Sequence, residues 1–209
     1  RLGRCGAPGA VGRRIEWWAN DGSPANGLWV PHHIEVGGVA APSGLVVADL
    51  DGDGSADAAA TAGGSVYWWT NDGSKTAFWP RTQIAAGLGA SGPLTAADLD
   101  GDGDMDLAGL VGGGLSWWVN DGSPGTGPWA GHEVAAAVPD GASLLARDLD
   151  GDGDMDLAVG ATGAGGMSWW ESDGSPADGG WTEHAAAAET PLAALEAADL
   201  DGDGDLELV

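Results

Sequence analysis

Residues 148–156 read DLDGDGDMD, five aspartates in nine residues, and they lie between the apolar stretches ASLLAR and LAVGAT. Similar stretches occur at 49–57, 98–106 and 199–207, so that successive copies begin 49, 50 and 51 residues apart. A pair of tryptophans followed by NDGS or SDGS keeps the same spacing, a third tryptophan follows each pair, and this scheme contains all 12 tryptophans. The 209 residues are therefore four copies of one unit of about 50 residues, which indicates a repeat architecture.

Composition and charge exclude several classes of protein. The 39 glycines and the lack of long Leu, Glu and Lys runs favour short strands and turns over helices. The net charge is -25, and with only seven basic residues the chain is not expected to bind nucleic acid, whose phosphates need Lys and Arg. No apolar run approaches the roughly 20 residues that span a bilayer, so no membrane insertion is expected within this chain. The single cysteine, Cys5, rules out an internal disulfide.

Each acidic stretch has the residue types and spacing of a metal-binding loop. With Asp49 as position 1 of the first loop, aspartates occupy positions 1, 3, 5 and 9, and Gly54 at position 6 permits a sharp turn. Two like charges about 4 Å apart repel by roughly 1 kcal/mol in water and by about 4 kcal/mol at an effective dielectric constant near 20. A cation removes this repulsion, and this many carboxylate oxygens suit Ca²⁺ better than Mg²⁺ or Zn²⁺. A flexible acidic linker is the alternative, but a linker would not keep register with the tryptophans.

The loops differ from an EF-hand in their second half. An EF-hand supplies a bidentate Glu at position 12 and has a helix on each side. Position 12 here is Ala60, Gly109 or Val159, and the flanking segments, such as LVVADL before the first loop, are short and apolar like strands. We therefore expect the coordination to close at position 9, on a strand-loop-strand frame.

The pattern D-x-D-x-D-G-x-x-D followed by LAVG resembles the FG-GAP/VCBS repeat, the blade unit of β-propellers like those of integrin α-subunits. The WWxNDGS segments resemble the VCBS branch of that group, and the resemblance extends from about Gly6 to Val209. It implies side-chain ligands at positions 1, 3, 5 and 9, a backbone carbonyl ligand at position 7, and up to four Ca²⁺ ions. The Phe-Gly of the family name is missing, and Glu207 replaces the last aspartate of the fourth loop, which predicts a looser site there.

Carried onto this chain, the resemblance predicts five ligands in each loop. The first loop offers Asp49, Asp51, Asp53, the carbonyl of Ser55, and Asp57. The second offers Asp98, Asp100, Asp102, the carbonyl of Asp104, and Asp106. The third offers Asp148, Asp150, Asp152, the carbonyl of Asp154, and Asp156. The fourth offers Asp199, Asp201, Asp203, the carbonyl of Asp205, and Glu207.

Each copy is predicted to contain a strand, the metal loop, a strand, a turn, a strand, the NDGS turn and a strand. In the third copy we expect the strands at about 143–148, 156–160, 167–171 and 180–186. Four antiparallel strands form a propeller blade, so the expected fold is an all-β propeller of about four blade-equivalents. The predicted divisions are a half blade at 1–40, blades at 41–90, 91–140 and 141–190, and a half blade at 191–209. The resemblance implies a fragment of a larger, seven-bladed ring, and closure as a small four-bladed ring is the alternative.

The repeated aromatic residues are interpreted as packing groups. A single blade cannot bury both of its faces, so tryptophans present in every copy are expected to pack between blades. A platform for stacking sugar rings is the alternative. His32, His132 and His184 each follow the third tryptophan of their copy by three residues, where another copy has Thr82, and this periodicity also favours a structural role.

Residues that break the repeat are the candidates for specific function, namely Tyr67, Lys75, Arg81, His33 and Arg147. They form no recognisable acid-base pair, nucleophile set or phosphate-binding loop, and almost every carboxylate is assigned to metal. We therefore predict a non-catalytic Ca²⁺-binding module for extracellular recognition or adhesion, with a protein or a glycan as ligand. The alternative is a carbohydrate-active propeller, resembling a polysaccharide lyase or a glycan-binding domain, in which Lys75 or Arg81 would line the site.

Calcium levels favour a location outside the cytosol. Extracellular sites often have a Kd of about 10⁻⁴–10⁻³ M, so each would stabilise the fold by about 0.4–1.4 kcal/mol at roughly 1 mM Ca²⁺. At cytosolic Ca²⁺ such sites would be nearly empty and self-repelling. We expect an extracellular, cell-surface or periplasmic protein, with any targeting signal outside this sequence.

Overall fold

The computed structural model describes residues 2–3, 14–19, 29–36, 38–40, 42–73, 79–163, 166–187, 192 and 194–209. Its described residues form 17 strands in five antiparallel sheets. Sheet N contains β1 (Leu2–Gly3), β2 (Arg14–Ala19) and β3 (Val30–Val36). Sheet 1 contains β4 (Pro42–Ala48), β5 (Asp57–Ala62), β6 (Ser65–Trp69) and β7 (Arg81–Ala86).

The remaining strands repeat this arrangement. Sheet 2 contains β8 (Ser91–Ala97), β9 (Asp106–Val111), β10 (Gly114–Val119) and β11 (Ala130–Ala135). Sheet 3 contains β12 (Gly141–Arg147), β13 (Asp156–Ala161), β14 (Met167–Ser172) and β15 (Trp181–Ala187). Sheet C contains β16 (Ala197–Ala198) and β17 (Glu207–Leu208). Short 3-10 helices lie at Pro124–Thr126 and Pro176–Asp178, and no helix in the described part of the chain is long and apolar enough to cross a membrane.

The prediction of an all-β fold built from four-stranded antiparallel blades is confirmed. In sheets 1, 2 and 3 each strand pairs with the next strand along the chain, as in a propeller blade. In the third copy the predicted strand at 143–148 is Gly141–Arg147, and that at 156–160 is Asp156–Ala161. Strands, not helices, flank the acidic loops, which removes the EF-hand interpretation.

The second strand of each four-stranded sheet is buried along its whole length. In sheets 1 and 2, residues of neighbouring sheets pack on both faces of this strand. The sequences of these strands, DAAATA, DLAGLV and DLAVGA, are rich in small residues that allow this close packing. At Gly44 on β4, an added Cβ would lie 2.4 Å from the carbonyl oxygen of Gly92 on β8, so the two first strands approach too closely for a side chain there. The buried Thr61 hydroxyl also bridges them, accepting from the Gly44 amide at 2.9 Å and donating to the Gly92 carbonyl at 2.7 Å.

Three apolar clusters lie between successive sheets and contain most of the paired tryptophans. Trp69 packs with residues of sheets N and 1, Trp68 and Trp118 with those of sheets 1 and 2, and Trp117 and Trp170 with those of sheets 2 and 3. All five side chains are buried, and burying one large apolar side chain contributes on the order of 1.5–3 kcal/mol. These tryptophans therefore pack between sheets, as the repeat predicts.

Each of the three repeated histidines stacks on a tryptophan ring of its own sheet. The ring centroids of His32 and Trp17 are 4.3 Å apart, those of His132 and Trp117 are 5.1 Å apart, and the third copy repeats the contact. The stacking agrees with the structural role predicted for these histidines.

Candidate metal centres

Each acidic loop connects the first strand of a sheet to the second. Residues 49–57 lead from β4 into β5, and the corresponding loops lead into β9, β13 and β17. The glycine at position 6 has a positive φ in every loop, from 88° at Gly54 to 103° at Gly153, a region that other residues rarely adopt. The loop therefore turns where the sequence predicts, and its aspartates project from a tight backbone.

The same hydrogen bonds shape all four loops. The amide at position 6 donates to the carboxylate at position 1, as from Gly54 to Asp49 at 2.8 Å. The amide at position 7 donates to the carboxylate at position 5, as from Ser55 to Asp53 at 2.7 Å. The amide at position 2 donates to the acid at position 9, and Glu207 accepts this bond from Leu200 at 2.8 Å despite its longer side chain. These bonds hold the acidic side chains close together before any ion is considered.

Three predicted ligands converge in each loop, with one carboxylate oxygen from each lying within 4.8 Å of the others. The groups are Asp49, Asp51 and Asp53; Asp98, Asp100 and Asp106; Asp148, Asp150 and Asp156; and Asp199, Asp201 and Asp203. Positions 1 and 3 belong to every group, whereas the third member is position 5 in the outer loops and position 9 in the middle loops. Asp57, Asp102, Asp152 and Glu207 lie in the same loops but outside these groups. The carbonyl ligands of Ser55, Asp104, Asp154 and Asp205 stay predictions.

Two buried carboxylate oxygens without hydrogen-bond partners indicate that the residues present fit a cation. Asp49 Oδ1 and Asp98 Oδ1 are buried but have no hydrogen-bond partner among the described residues. A buried polar atom without a partner costs free energy, and a cation bound to it would offset that cost. Three clustered carboxylates with such an oxygen can hold a metal ion, and the donors are hard oxygens rather than sulfur or imidazole.

The position-9 aspartates are the least exposed carboxyl groups of the site. Asp57, Asp106 and Asp156 are each 0% exposed, and each begins a strand that is buried along its whole length. Burial raises the pKa of Asp57 to about 6, that of Asp106 to about 7 and that of Asp156 to about 6, although backbone amides partly oppose the shift. In Asp100, burial and then repulsion from Asp102 raise the pKa. Without a cation, these groups therefore resist ionisation.

This burial predicts that the pH dependence of stability differs with and without a cation. Folding favours the protonated forms of Asp57, Asp106 and Asp156, so their contribution is present below the unfolded pKa near 4 and is lost as the pH rises through about 6–7. In EGTA we expect the melting temperature to fall across this range. With a saturating divalent cation, which binds the ionised form, it should not fall.

Thermal melts at several pH values, with the cation and with EGTA, measure both dependences. Asp106→Asn is the control, since a neutral amide of the same shape should flatten the slope in EGTA. A melting temperature that rises between pH 5 and 7 in EGTA would contradict the assignment.

Sequence reasoning missed the role of the residue at the end of the third strand, which is the first residue of the NDGS or SDGS motif. Its backbone amide donates to the second oxygen of the position-9 aspartate, at 2.6 Å from Asn71, 2.7 Å from Asn120 and 2.9 Å from Ser172. The signal was present, because the first residue of the NDGS or SDGS motif keeps register with the loops. The NDGS or SDGS motif therefore forms a turn and also holds the position-9 aspartate of the acidic loop in place.

Asn120 also connects two loops. Its buried side-chain amide donates to the carbonyl of Leu50 at 2.8 Å, in the first loop, and to that of Met105 at 3.1 Å, in the second. The Leu50 amide in turn donates to Asp57, and the Asn120 amide to Asp106. A continuous chain of hydrogen bonds thus links the position-9 carboxylates of sheets 1 and 2.

Replacing Asn120 by serine, the residue that the third copy carries at this place, is expected to destabilise the fold by about 1–3 kcal/mol. Serine keeps the backbone bond to Asp106 but leaves the buried Leu50 carbonyl without its donor. Urea denaturation measures the difference. The matched control is Asn71→Ser, because the Asn71 side chain makes an exposed bond to Ala56. Equal losses in the two variants would refute the inter-sheet role.

Comparison with known families agrees with this geometry. The family model for the FG-GAP-like repeat matches residues 49–109, 98–159 and 148–209, and each match runs from one acidic loop through the next. The chain belongs to the FG-GAP-like repeat family. The resemblance of the acidic loops is thereby confirmed, and the FG-GAP-like unit of this chain is a four-stranded sheet with its loop between the first two strands.

A solved structure shares the fold of this FG-GAP-like chain. It is a lectin from Agrocybe aegerita, described for its specific recognition of non-reducing terminal N-acetylglucosamine. The TM-score is 0.56 and the sequence identity 21%, over 81% of this chain and 45% of the lectin chain. The FG-GAP-like chain thus spans less than half the length of that lectin. No curated protein matches the sequence significantly.

Among the described residues that break the repeat, Arg81 and Tyr67 contact each other, whereas His33 and Arg147 make separate contacts. Arg81 lies over the Tyr67 ring, and its Nη1 is 3.0 Å from Glu35 Oε2. His33 Nδ1 lies 2.9 Å from Glu16 on the neighbouring strand, and Arg147 donates to the carbonyl of Ala146. Lys75 lies outside the described residues.

Proposed function

We propose that the chain is a non-catalytic, Ca²⁺-binding propeller module for recognition outside the cytosol. The supporting observation is a fully buried acid at position 9 in three successive loops. In the second and third loops this acid lies beside the carboxylates at positions 1 and 3. Within the described residues, no Lys, Arg or His forms an ion pair with these acids. Buried like charges of this kind need a cation to be stable, and FG-GAP-like loops supply the oxygen donors that Ca²⁺ prefers.

Up to four Ca²⁺ ions would be held by the acids at positions 1, 3, 5 and 9, with the position-7 carbonyl as a further ligand. A bound ion would neutralise the repulsion within a loop and fix the connection between the first two strands of a sheet. Because the second of those strands is buried, the ion would have a structural role. In this proposal sheets 1, 2 and 3 are complete blades of a larger ring.

Location outside the cytosol follows from the availability of the ion. Sites built on exposed loops with this charge are expected to have the millimolar to submillimolar affinity of extracellular modules. They would be filled in extracellular or periplasmic fluid and nearly empty in the cytosol. A measured nanomolar Kd would argue against this location.

Recognition is favoured over catalysis, with a glycan or a protein as the ligand. The fold is shared with a lectin, which makes a glycan a reasonable class to test first. A carbohydrate-active enzyme is the second candidate, and it would need a free cationic or acid-base group at its site. Arg81, the described cation that the sequence offered for this role, is already engaged by Glu35 and Tyr67.

A panel of polysaccharides and surface glycoproteins, tested at about 1 mM Ca²⁺ and again in EGTA, distinguishes the two candidates. The proposal expects Ca²⁺-dependent retention of at least one ligand without release of new sugar ends. Cleavage of a polysaccharide that disappears in an Arg81→Ala variant would replace the proposal with the enzymatic one.

A further inference from the structure

Asn120, which directly follows β10, is bonded to both the first and the second acidic loop. Its side chain is buried, with only 1% of the residue exposed. Its Nδ2 donates to the Leu50 carbonyl at 2.8 Å and to the Met105 carbonyl at 3.1 Å, while its backbone amide donates to Asp106 at 2.7 Å. Because both partners of Nδ2 are carbonyl oxygens, the side-chain amide forms these bonds in one orientation only. A single buried residue therefore restrains the backbone of two loops.

The restrained groups lie among the candidate metal ligands. Leu50 stands between Asp49 and Asp51, two of the three grouped carboxylates of the first loop. In the second loop Asp106 is itself one of the grouped carboxylates. Ordering of either loop therefore also orders Asn120, which the two loops share.

The second and third loops have no such link among the described residues. Ser172 takes the place of Asn120, and its backbone amide still donates to Asp156 at 2.9 Å. Its hydroxyl accepts from the Gly174 amide at 3.3 Å within the same turn. No side chain that the structure describes in sheet 3 donates to the carbonyl of Leu99, the residue at position 2 of the second loop. The third loop is therefore an internal reference for a loop without the link.

We propose that Asn120 couples the first two acidic loops, so that Ca²⁺ bound in one loop raises the affinity of the other, whereas the third loop binds Ca²⁺ without this coupling. The first ion would order the shared side chain, and the second would then bind with a smaller loss of conformational entropy. The effect is reciprocal, because a coupling free energy acts equally on the affinities of both sites. The inference rests on the proposed function, since it concerns regulation of the same sites.

Electrostatics alone predicts a coupling of the opposite sign. Each bound cation reduces the negative charge that attracts the next one, so loops that interact only through the net charge of -25 should bind a second ion more weakly than the first. The sign of the coupling between the first two loops therefore distinguishes the hydrogen-bonded link from the general field of the chain.

Three glycine amides report on the loops separately. Gly54, Gly103 and Gly153 occupy position 6 of the first, second and third loops, and each amide donates to the position-1 carboxylate. NMR spectra of the full chain, recorded from about 10 μM to 5 mM Ca²⁺, give a binding midpoint for each loop. Asp51→Asn weakens the first site by one charge but keeps a side-chain oxygen that can accept from the Asp53 amide.

In the Asp51→Asn variant we expect the Ca²⁺ midpoint at Gly103 to rise by about fivefold, while the midpoint at Gly153 stays the same. The rise follows because an empty first loop no longer orders the side chain that the second loop shares. Combining Asp51→Asn with Asn120→Ser should remove this effect on Gly103, since serine cannot make the bond to the first loop.

Asn71→Ser provides the comparison, because the Asn71 side chain donates to Ala56 in the loop of its own sheet. This change should leave the effect of Asp51→Asn on Gly103 in place. An unchanged or lower midpoint at Gly103 in Asp51→Asn would overturn the proposal, and so would an effect that persists with Asn120→Ser.

The same titration separates a failure of the coupling from a failure of the proposed function. Binding at all three glycines, with no effect of one loop on another, would leave the Ca²⁺-binding module standing and remove only the coupling. If none of the three amides responds at up to about 5 mM Ca²⁺, the proposed function fails and the coupling fails with it.

Discussion

Transfer of the chain from about 1 mM Ca²⁺ to excess EGTA at neutral pH is expected to lower its melting temperature by about 5–20 °C. Four sites with Kd values of about 10⁻⁴–10⁻³ M contribute about 2–6 kcal/mol in total at that Ca²⁺ concentration. For a chain of this length, each kcal/mol moves the midpoint by about 2–4 °C. Differential scanning calorimetry or circular dichroism measures the change.

This effect is expected because burial and mutual repulsion oppose the ionisation of the loop acids when no cation is bound. Without a cation, Asp57, Asp106 and Asp156 have no exposed surface, and 19 acidic residues crowd four short loops. Mg²⁺ at the same concentration is the control, and it should restore little of the midpoint because it keeps its own waters. An identical midpoint in Ca²⁺ and EGTA would remove the metal, location and recognition proposals together.

Replacing Asp106 by alanine is expected to destabilise the metal-free chain by about 2–4 kcal/mol, a large part of the 5–15 kcal/mol typical of a folded domain. The carboxylate accepts from Leu99 at 2.9 Å and from Asn120 at 2.7 Å, so alanine leaves two buried amides without an acceptor. Alanine also removes the free-energy cost of burying a carboxyl group, which offsets part of this loss. Urea denaturation in EGTA measures it without the contribution of the ion.

Asp104→Ala in the same loop is the matched control. Its side chain is not among the grouped carboxylates, and the predicted ligand at this position is the carbonyl, so the loss should stay below about 1 kcal/mol. In Ca²⁺ the Asp106 variant should lose further stability while the Asp104 variant should not. Similar losses in EGTA would mean that the buried hydrogen bonds of Asp106 do not support the loop.

The sequence could predict the blade because its signals are local and repeat four times. Glycine at position 6, alternating aspartates and apolar flanks set the turn and both strands, and the strand at Asp156–Ala161 begins at the residue predicted. The stacked Trp–His pairs could also have been predicted, since the two residues keep a fixed spacing in the sequence.

The features that could not be predicted depend on neighbouring sheets. Nothing in DLDGDGDMD shows that its last aspartate is buried and its third exposed, because burial depends on residues outside this stretch. The bond from Asn120 to Leu50 joins residues 70 positions apart, and the contact between Arg81 and Glu35 joins residues 46 apart. A non-repeating arginine looked like a catalytic candidate until its partner on the preceding sheet was known.

The number of Ca²⁺ ions bound per chain decides whether the acidic loops are metal sites. Equilibrium dialysis of the chelator-stripped chain against Ca²⁺ from about 10 μM to 5 mM gives both the number of sites and their affinity. We expect more than one ion per chain and at most four, with dissociation constants of about 10⁻⁴–10⁻³ M and a loss of ions in Asp106→Ala. A chain that binds no Ca²⁺ at about 5 mM would contradict this expectation.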